Sequence, residues 1–276
     1  MQLPSPRLEI LTVDGVRVWR DEQLAQEHGV LVAFSERAGG VSRPPFSSLN
    51  VAAHVGDDPS AVDENRRRLL VTVGLGRFME NLIVPEQTHG DSIAIVTKGE
   101  RGSGALCGRG RPPIAATDAL VTAVEGYPLM LCFADCVPVI LVAPGPVVAV
   151  VHAGWRGALA SLPGAAVRSL AGVANCKPGS VLAYIGPHIR ACHYPVDETT
   201  VSHFVNAFGT LARVDSGGLN LEFAVTASLT DAGVATCNIA CLGPCTAEAT
   251  DRFFSYRAEQ STTGRHAALA CVLPRD

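Results

Sequence analysis

The chain has 276 residues, of which 47% are apolar and 17% charged, with a formal net charge of −4. High apolar content at low charge density excludes an intrinsically disordered chain, and a chain of this size buries about three quarters of its unfolded surface, so it needs no disulfide or metal staple to fold. The acidic balance, with no basic stretch interleaved with aromatics, excludes a nucleic-acid footprint; Arg66-Arg67-Arg68 reads as a solvated helix face.

Taken in order, the apolar patterning predicts a strand over 29–34, then a polar, loop-rich stretch over 35–57 with Gly39-Gly40 and Pro44-Pro45. Asp58 caps a helix with Pro59 at its first position, running to about Val73. Strands are expected over 81–85 and 92–97. The Gly- and Pro-rich segment 98–113 reads as a mobile surface loop. Short strands follow over 119–122 and 129–133. Two β-branched runs, 137–143 and 147–151, flank Pro144-Gly145-Pro146 as a tight hairpin. A helix is expected over 155–170, a strand over 181–185, a helix from Asp197 to about Phe208, and a helix capped by Asn220 over 221–231. A strand-like tail closes the chain. Strands and helices alternate irregularly, which points to an α/β chain of mixed sheets covered by helices and away from an all-parallel barrel. Aromatics are only 5%, so the core is expected to be mainly Val, Leu, Ala and Ile.

Residues 1–20 lack the apolar core of a secretory signal. The longest uncharged apolar stretch, 136–151, is too short and too broken by proline to span a bilayer. The expectation is a cytoplasmic protein with no membrane partner. Its nine cysteines are then thiols or ligands rather than a disulfide framework.

The chemistry concentrates between Ala134-Asp135-Cys136 and His152-Ala153-Gly154-Trp155-Arg156-Gly157. If Pro144 marks an antiparallel turn, paired positions have numbers summing to about 288, as Cys136 and His152 do, and such pairs lie about 5 Å apart. A thiol beside an imidazole serves either as two ligands of one metal ion or as a nucleophile with its base. Gly154 permits a sharp turn into a helix whose N-terminus disfavours a cation; Arg156 there makes sense if phosphate or a carboxylate shares the site. His89, at a Gly turn after a strand, completes a His₂Cys set. Three protein ligands with an open fourth position is the catalytic zinc pattern, with copper the alternative for soft thiolate plus imidazole. Cys237, Cys241 and Cys245, spaced by four, are expected to be buried. His188 and His193 flank Cys192 in a loop, and Phe253-Phe254-Ser255-Tyr256-Arg257 reads as mainly structural. No Walker motif or dinucleotide-binding fingerprint is present.

In order along the chain stand Gly39-Gly40-Val41-Ser42, Ser48-Leu49-Asn50, Glu64-Asn65-Arg66, Gln87-Thr88-His89-Gly90, Ala134-Asp135-Cys136, His152-Ala153-Gly154-Trp155-Arg156-Gly157, Ile185-Gly186-Pro187 and Phe253-Phe254-Ser255-Tyr256-Arg257. Together these closely resemble the YfiH family, also called the laccase-domain or multicopper polyphenol oxidase family, from about Val30 to the C-terminus. With no internal repeat or long linker, and apolar patterning resuming after the 98–113 segment, the chain reads as a single domain over 1–276; the resemblance implies mixed sheets in α/β/β/α layers, related to the catalytic domain of cytotoxic necrotizing factor. It implies zinc held by His89, Cys136 and His152. It further implies phosphorolysis of adenosine, inosine, guanosine and methylthioadenosine, and adenosine deamination; some bacterial members are linked instead to editing of peptidoglycan precursors. The sequence departs from the usual pattern at Thr88, at Ala258 and in the loop 187–194, with its His188, Cys192 and His193.

The leading expectation is therefore a zinc-dependent purine nucleoside enzyme acting on small-molecule nucleoside and phosphate. Asp135 is the candidate for proton transfer or ligand support, Arg37 and Arg156 for phosphate, and His54 and Gln87 for base or ribose. The alternatives are a Cys–His amide hydrolase with Cys136 as nucleophile and His152 as base, a copper oxidase of phenols, and a metal-stabilised binding module. The eight histidines include no His-x-His pair, which argues against a trinuclear copper cluster.

Overall fold

In the computed structural model, which describes residues 3–214 and 217–274, the chain opens with β1 (Glu9–Val13), β2 (Val16–Arg20), α1 (Glu22–His28), β3 (Val30–Ser35) and α2 (Pro59–Thr72). It continues through β4 (Ile93–Ile95), β5 (Ala119–Thr122), β6 (Leu129–Phe133), β7 (Val137–Ala143) and β8 (Val147–Ala153). Then come α3 (Trp155–Leu159), α4 (Leu162–Ala174), β9 (Leu182–Ile185), α5 (Glu198–Phe208), α6 (Leu221–Asp231), β10 (Ile239–Cys241) and β11 (His266–Val272). Two sheets form, one ordered β1-β2-β3-β11-β6 and the other β10-β9-β7-β8-β5-β4.

The strands β3, β6, β7, β8 and β11 are buried at every position, which is why they read as unbroken apolar runs rather than alternating ones. Alternate side chains nonetheless go to different layers. Phe34, Leu131, Ile140, Val150 and Tyr184 fill the space between the two sheets. Val139, Leu141 and Val151 face outward to meet Leu170 of α4 and Val225 of α6. On the far side, Leu31, Leu269 and Cys271 meet Leu69 and Leu70 of α2. The order is helix, sheet, sheet, helix, as expected. Each fully buried Val, Leu or Ile side chain contributes about 1.5–3 kcal/mol, and in these three clusters most of the residues are Val, Leu and Ala.

The central hairpin pairs Val137 with Ala153 and Pro138 with His152. The register is thus two residues away from the expected one, and Cys136 lies diagonally from His152, just before β7. A shift of two keeps side-chain facing, so thiol and imidazole still share a side.

Several expectations need correction. The helix expected over 155–170 is two helices, because Ser161 takes a left-handed conformation (φ 55°) and Pro163 sits in the first turn of α4, where proline starts rather than continues a helix. The segment 81–85 is not a strand. It touches the first sheet through a single bridge, Ile83 to Leu129, supported by the Ile83 N–H to Pro128 O and Met130 N–H to Ile83 O bonds, and so covers the outer edge of β6. The N-terminal hairpin and α1, capped by the Asp21 carboxylate on the Leu24 N–H, had no sequence signal assigned to them.

The Arg66-Arg67-Arg68 run is not uniformly solvated. Arg67 and Arg68 pair with Glu64, but Arg66 is 3% exposed. Its guanidinium donates to the carbonyls of Val51, Gly104 and Ala105. Beside it, the fully buried Asn65 accepts from the Val41 N–H and donates to Ser42 Oγ, Ser48 O and Asn50 O. Two adjacent side chains of α2 therefore bind the polar stretch 35–57 and the segment 98–113 to the body. The latter is packed at Ser103, Ala105 and Cys107 rather than loose. No helix among the described residues is long and apolar enough to cross a membrane.

Arg66→Met keeps the apolar stem but strands three buried carbonyls, each unpaired group costing about 1–3 kcal/mol. We expect a loss of at least about 3 kcal/mol, read as a lower urea midpoint at unchanged slope; a midpoint within error of the parent would show that these bonds do not anchor the segment.

Candidate functional site

The C-terminal end of β8 delivers His152, and Gly154 turns the chain into α3. A Cβ at Gly154 would stand 3.2 Å from His89 Cδ2 and 3.3 Å from Cys136 Sγ, so the turn leaves open the space that the three side chains share. Cys136 lies at the opposite strand's entry. The ligand atoms of His89, Cys136 and His152 all lie within 4.8 Å of one another. The two imidazoles meet edge to face, with ring centroids 4.7 Å apart.

The two imidazoles are brought together by Asp118, which immediately precedes β5 and is fully buried. Its Oδ1 lies 2.8 Å from His152 Nδ1 and accepts the His89 N–H at 3.0 Å. Its Oδ2 accepts the N–H groups of Thr88 and Gly90 and the Thr88 hydroxyl. Thus one carboxylate orients an imidazole and folds the loop that carries the other, with His89 itself in a left-handed conformation (φ 59°). Burial opposes ionisation of Asp118, but His152 and the loop N–H groups outweigh it and hold the carboxyl down at about 2. With Nδ1 bound to Asp118, His152 turns Nε2 toward the shared space, the carboxylate–histidine arrangement that supports metal ligands.

Charge in this cluster is coupled. Burial would raise the Cys136 thiol, yet His152 and His89 pull it below its ordinary value. Burial would lower His152, yet Cys136 and Asp118 raise it. A thiolate and two imidazoles are a soft donor set that could hold a transition ion.

A cavity of about 450 Å³ opens over these groups, within the range of small-molecule sites. Of the residues singled out from the sequence, His54, Gln87, Asp135 and Arg156 line it together with His89, Cys136 and His152. Arg37 does not. Its guanidinium is consumed by the carbonyls of Ser47 and Thr250 and by Glu259 and stacks on Phe254, so it is a buttress of the loop rather than a group free to meet a substrate. Gln87 lines the wall, but its amide is spent on the backbone N–H and carbonyl of Cys132, at 2.8 and 3.0 Å. It pairs with the edge of β6 as a neighbouring strand would. Asp135 accepts from the hydroxyls of Thr246 and Ser255 and from the Arg257 N–H.

Sequence reasoning missed Asp118, Tyr194, Arg257 and Arg265 at this site. Tyr256 and Arg257 stand in a block that reads as structural, and indeed Phe253 and Phe254 are fully buried while the next residues turn into the cavity. Arg257 lies over the Tyr194 ring at 5.1 Å and Arg265 over the Tyr256 ring at 5.6 Å. Asp118 carries no local signal, since its partners are 28–34 residues distant. Of the cysteines expected to be buried, Cys245 is, but Cys237 and Cys241 are exposed.

A family model described as multi-copper polyphenol oxidoreductase laccase matches residues 31–273. Among curated relatives, the purine nucleoside phosphorylase YlmD of Geobacillus stearothermophilus is 37% identical over 249 residues, covering 87% of this chain and 89% of that protein. The purine nucleoside phosphorylase YlmD of Bacillus subtilis is 32% identical over 86% of each. Among solved structures, the Bacillus licheniformis hypothetical protein YfiH superposes with a TM-score of 0.87 at 30% identity, covering 96% of this chain and 98% of that one. YlmD from Geobacillus stearothermophilus superposes with a TM-score of 0.84 at 33% identity, covering 95% and 98%.

Asp118→Asn keeps the shape but weakens the hold on His152 and on the 88–90 loop. We expect metal affinity, measured by competition with a chromogenic chelator, to fall about 10–100-fold; unchanged affinity would remove Asp118 from the site's support.

Proposed function

The chain belongs to the multi-copper polyphenol oxidoreductase laccase family, and on that footing we propose that it is a zinc-dependent purine nucleoside phosphorylase, with His89, Cys136 and His152 as the zinc ligands. The observation that carries this reading is a single cavity that joins an open His₂Cys donor set to three guanidinium groups, those of Arg156, Arg257 and Arg265, and to the aromatic faces of Trp155, Tyr194 and Tyr256. The relatives named as purine nucleoside phosphorylases support the same reading.

The donor set suits zinc: two nitrogens and one sulfur, a carboxylate behind one imidazole, and a glycine where a side chain would crowd the space. Bound zinc supplies Lewis-acid polarisation and makes water more acidic, which is what deamination of adenosine requires. The protein's own groups serve the rest. The aromatic faces receive a flat purine. Guanidinium forks bind and orient phosphate, and an anion there also offsets the placing of Arg156 in the first turn of α3. In phosphorolysis a phosphate oxygen bonds to the ribose C1′, the electron pair of the C1′–N bond passes to the purine, and the proton of hydrogen phosphate neutralises the departing base. Asp135 acts as a positioning residue, since its carboxylate fixes the backbone of Arg257. Gln87 shapes the wall, and His54 sits at the rim. Adenosine, inosine, guanosine and methylthioadenosine are the substrates to test, and the setting proposed is the cytoplasm.

One observation favours a second reading. Asp118, His152 and Cys136 stand in the order orienter, base, nucleophile, the arrangement of a Cys–His hydrolase, which would act on amides such as a peptidoglycan precursor. For a copper cluster the described residues bring only two imidazoles to the donor set.

Zinc-loaded protein with inosine and phosphate should release hypoxanthine, followed by chromatography, and His152→Ala should abolish this. Arg156→Ala should raise the KM for phosphate about tenfold, the worth of one charge-assisted bond. Loss of turnover on chelation agrees with the phosphorylase; a metal-free enzyme that stays active and is silenced by one alkylation at Cys136 makes it a hydrolase instead.

A further inference from the structure

A second group of metal-binding side chains lies outside the cavity. The short 3₁₀ turn Ala191–His193 presents Cys192 and His193 side by side, and a bridge between His188 and Cys245 brings Cys245 and Glu248 against them. The ligand atoms of Cys192, His193 and Cys245 lie within 4.8 Å of one another. His193 Nδ1 is 3.1 Å from Cys192 Sγ, 3.7 Å from Cys245 Sγ and 3.4 Å from Glu248 Oε1. Cys192 Sγ is 3.8 Å from Glu248 Oε1. Zinc bonded tetrahedrally to S, N and O at its usual lengths has ligand–ligand edges of about 3.3–3.8 Å; three of the four separations fall in that range, and the fourth, His193 Nδ1 to Cys192 Sγ at 3.1 Å, would open by a few tenths of an ångström around an ion. The Cys245 sulfur is buried and accepts the Arg190 N–H at 3.2 Å, as metal-bound thiolates commonly do.

We propose that Cys192, His193 and Cys245, with the exposed Glu248 carboxylate closing in as the fourth donor, form a second, closed site for zinc or a similar thiophilic divalent ion, separate from the His89–Cys136–His152 set. Once Glu248 joins the three grouped donors, it has the make-up of a structural site rather than a catalytic one. Its place gives it a task. His193 precedes Tyr194, which lines the cavity, and Cys245 precedes Thr246, whose hydroxyl holds Asp135. An ion here staples the Tyr194 wall to the segment that positions Arg257. The proposal does not depend on the reaction catalysed in the cavity.

The experiment is metal stoichiometry on reduced full-length protein by native mass spectrometry, with cobalt as a second probe. Wild type should hold two zinc equivalents, and Cys192→Ser and Cys136→Ser one each. Cys192 is exposed, so its replacement does not breach the core; a far-UV spectrum and melting temperature like the parent's confirm the fold. Cobalt added to Cys136→Ser should still give thiolate-to-metal charge-transfer absorption, lost when Cys192→Ser is added, and zinc should slow amide exchange over 189–196 in wild type but not in Cys192→Ser. If Cys192→Ser holds as many ions as wild type, or cobalt in Cys136→Ser shows no thiolate band, the second site does not exist. A single equivalent lost in Cys192→Ser but kept in Cys136→Ser would support this site and count against a metal in the cavity.

Discussion

The geometry of the cavity depends on one buried carboxylate. Asp118 is reached by an imidazole from β8 and by three backbone N–H groups from the loop after Pro85, and so joins those two elements directly. A buried carboxylate is costly unless its lone pairs are satisfied. Here every available donor belongs to the site, so satisfying the charge and assembling the donor set are the same event. The left-handed backbone at His89 is held by that set of bonds.

Around this point the body is arranged in four layers, and its connections are held by polar side chains where apolar contact cannot reach. Asn65 and Arg66 rise from α2 and fasten two long irregular stretches through backbone carbonyls. Arg37 and Asp135 do the same for the segment after β10, the first through Thr250 and Glu259 and the second through Thr246, Ser255 and Arg257. Long irregular stretches are thus fixed to the double sheet by polar side chains that spend their hydrogen bonds on backbone and side-chain partners.

What could be read from the sequence follows from which interactions are local. The β7–β8 hairpin, α2 with its Asp58 cap and Pro59, α5 and α6 were legible because their signals are periodicity and capping within a few residues. Cys136, His89 and His152 stood out because their residue types have few uses in combination. The hairpin register was misplaced by two, since the turn residues do not determine which pairs close. Arg37 and Arg66 were misread because their partners lie in distant loops, and only three-dimensional proximity distinguishes a buried guanidinium from a free one. Asp118 was invisible for the same reason, and the split of α3 from α4 hinged on Ser161, a residue with no special preference for its left-handed conformation.

The segment that covers β6 has a further consequence. β6 ends its sheet, and its outward backbone is met by Ile83 and by the Gln87 amide rather than by another strand. A bare strand edge is a template for pairing with another molecule. The covering stretch runs directly into the loop that holds His89. Detachment of the covering stretch would therefore uncover an adhesive border, so the bonds of Ile83 and Gln87 that shield this edge also lead the chain into the cavity that Asp118 organises.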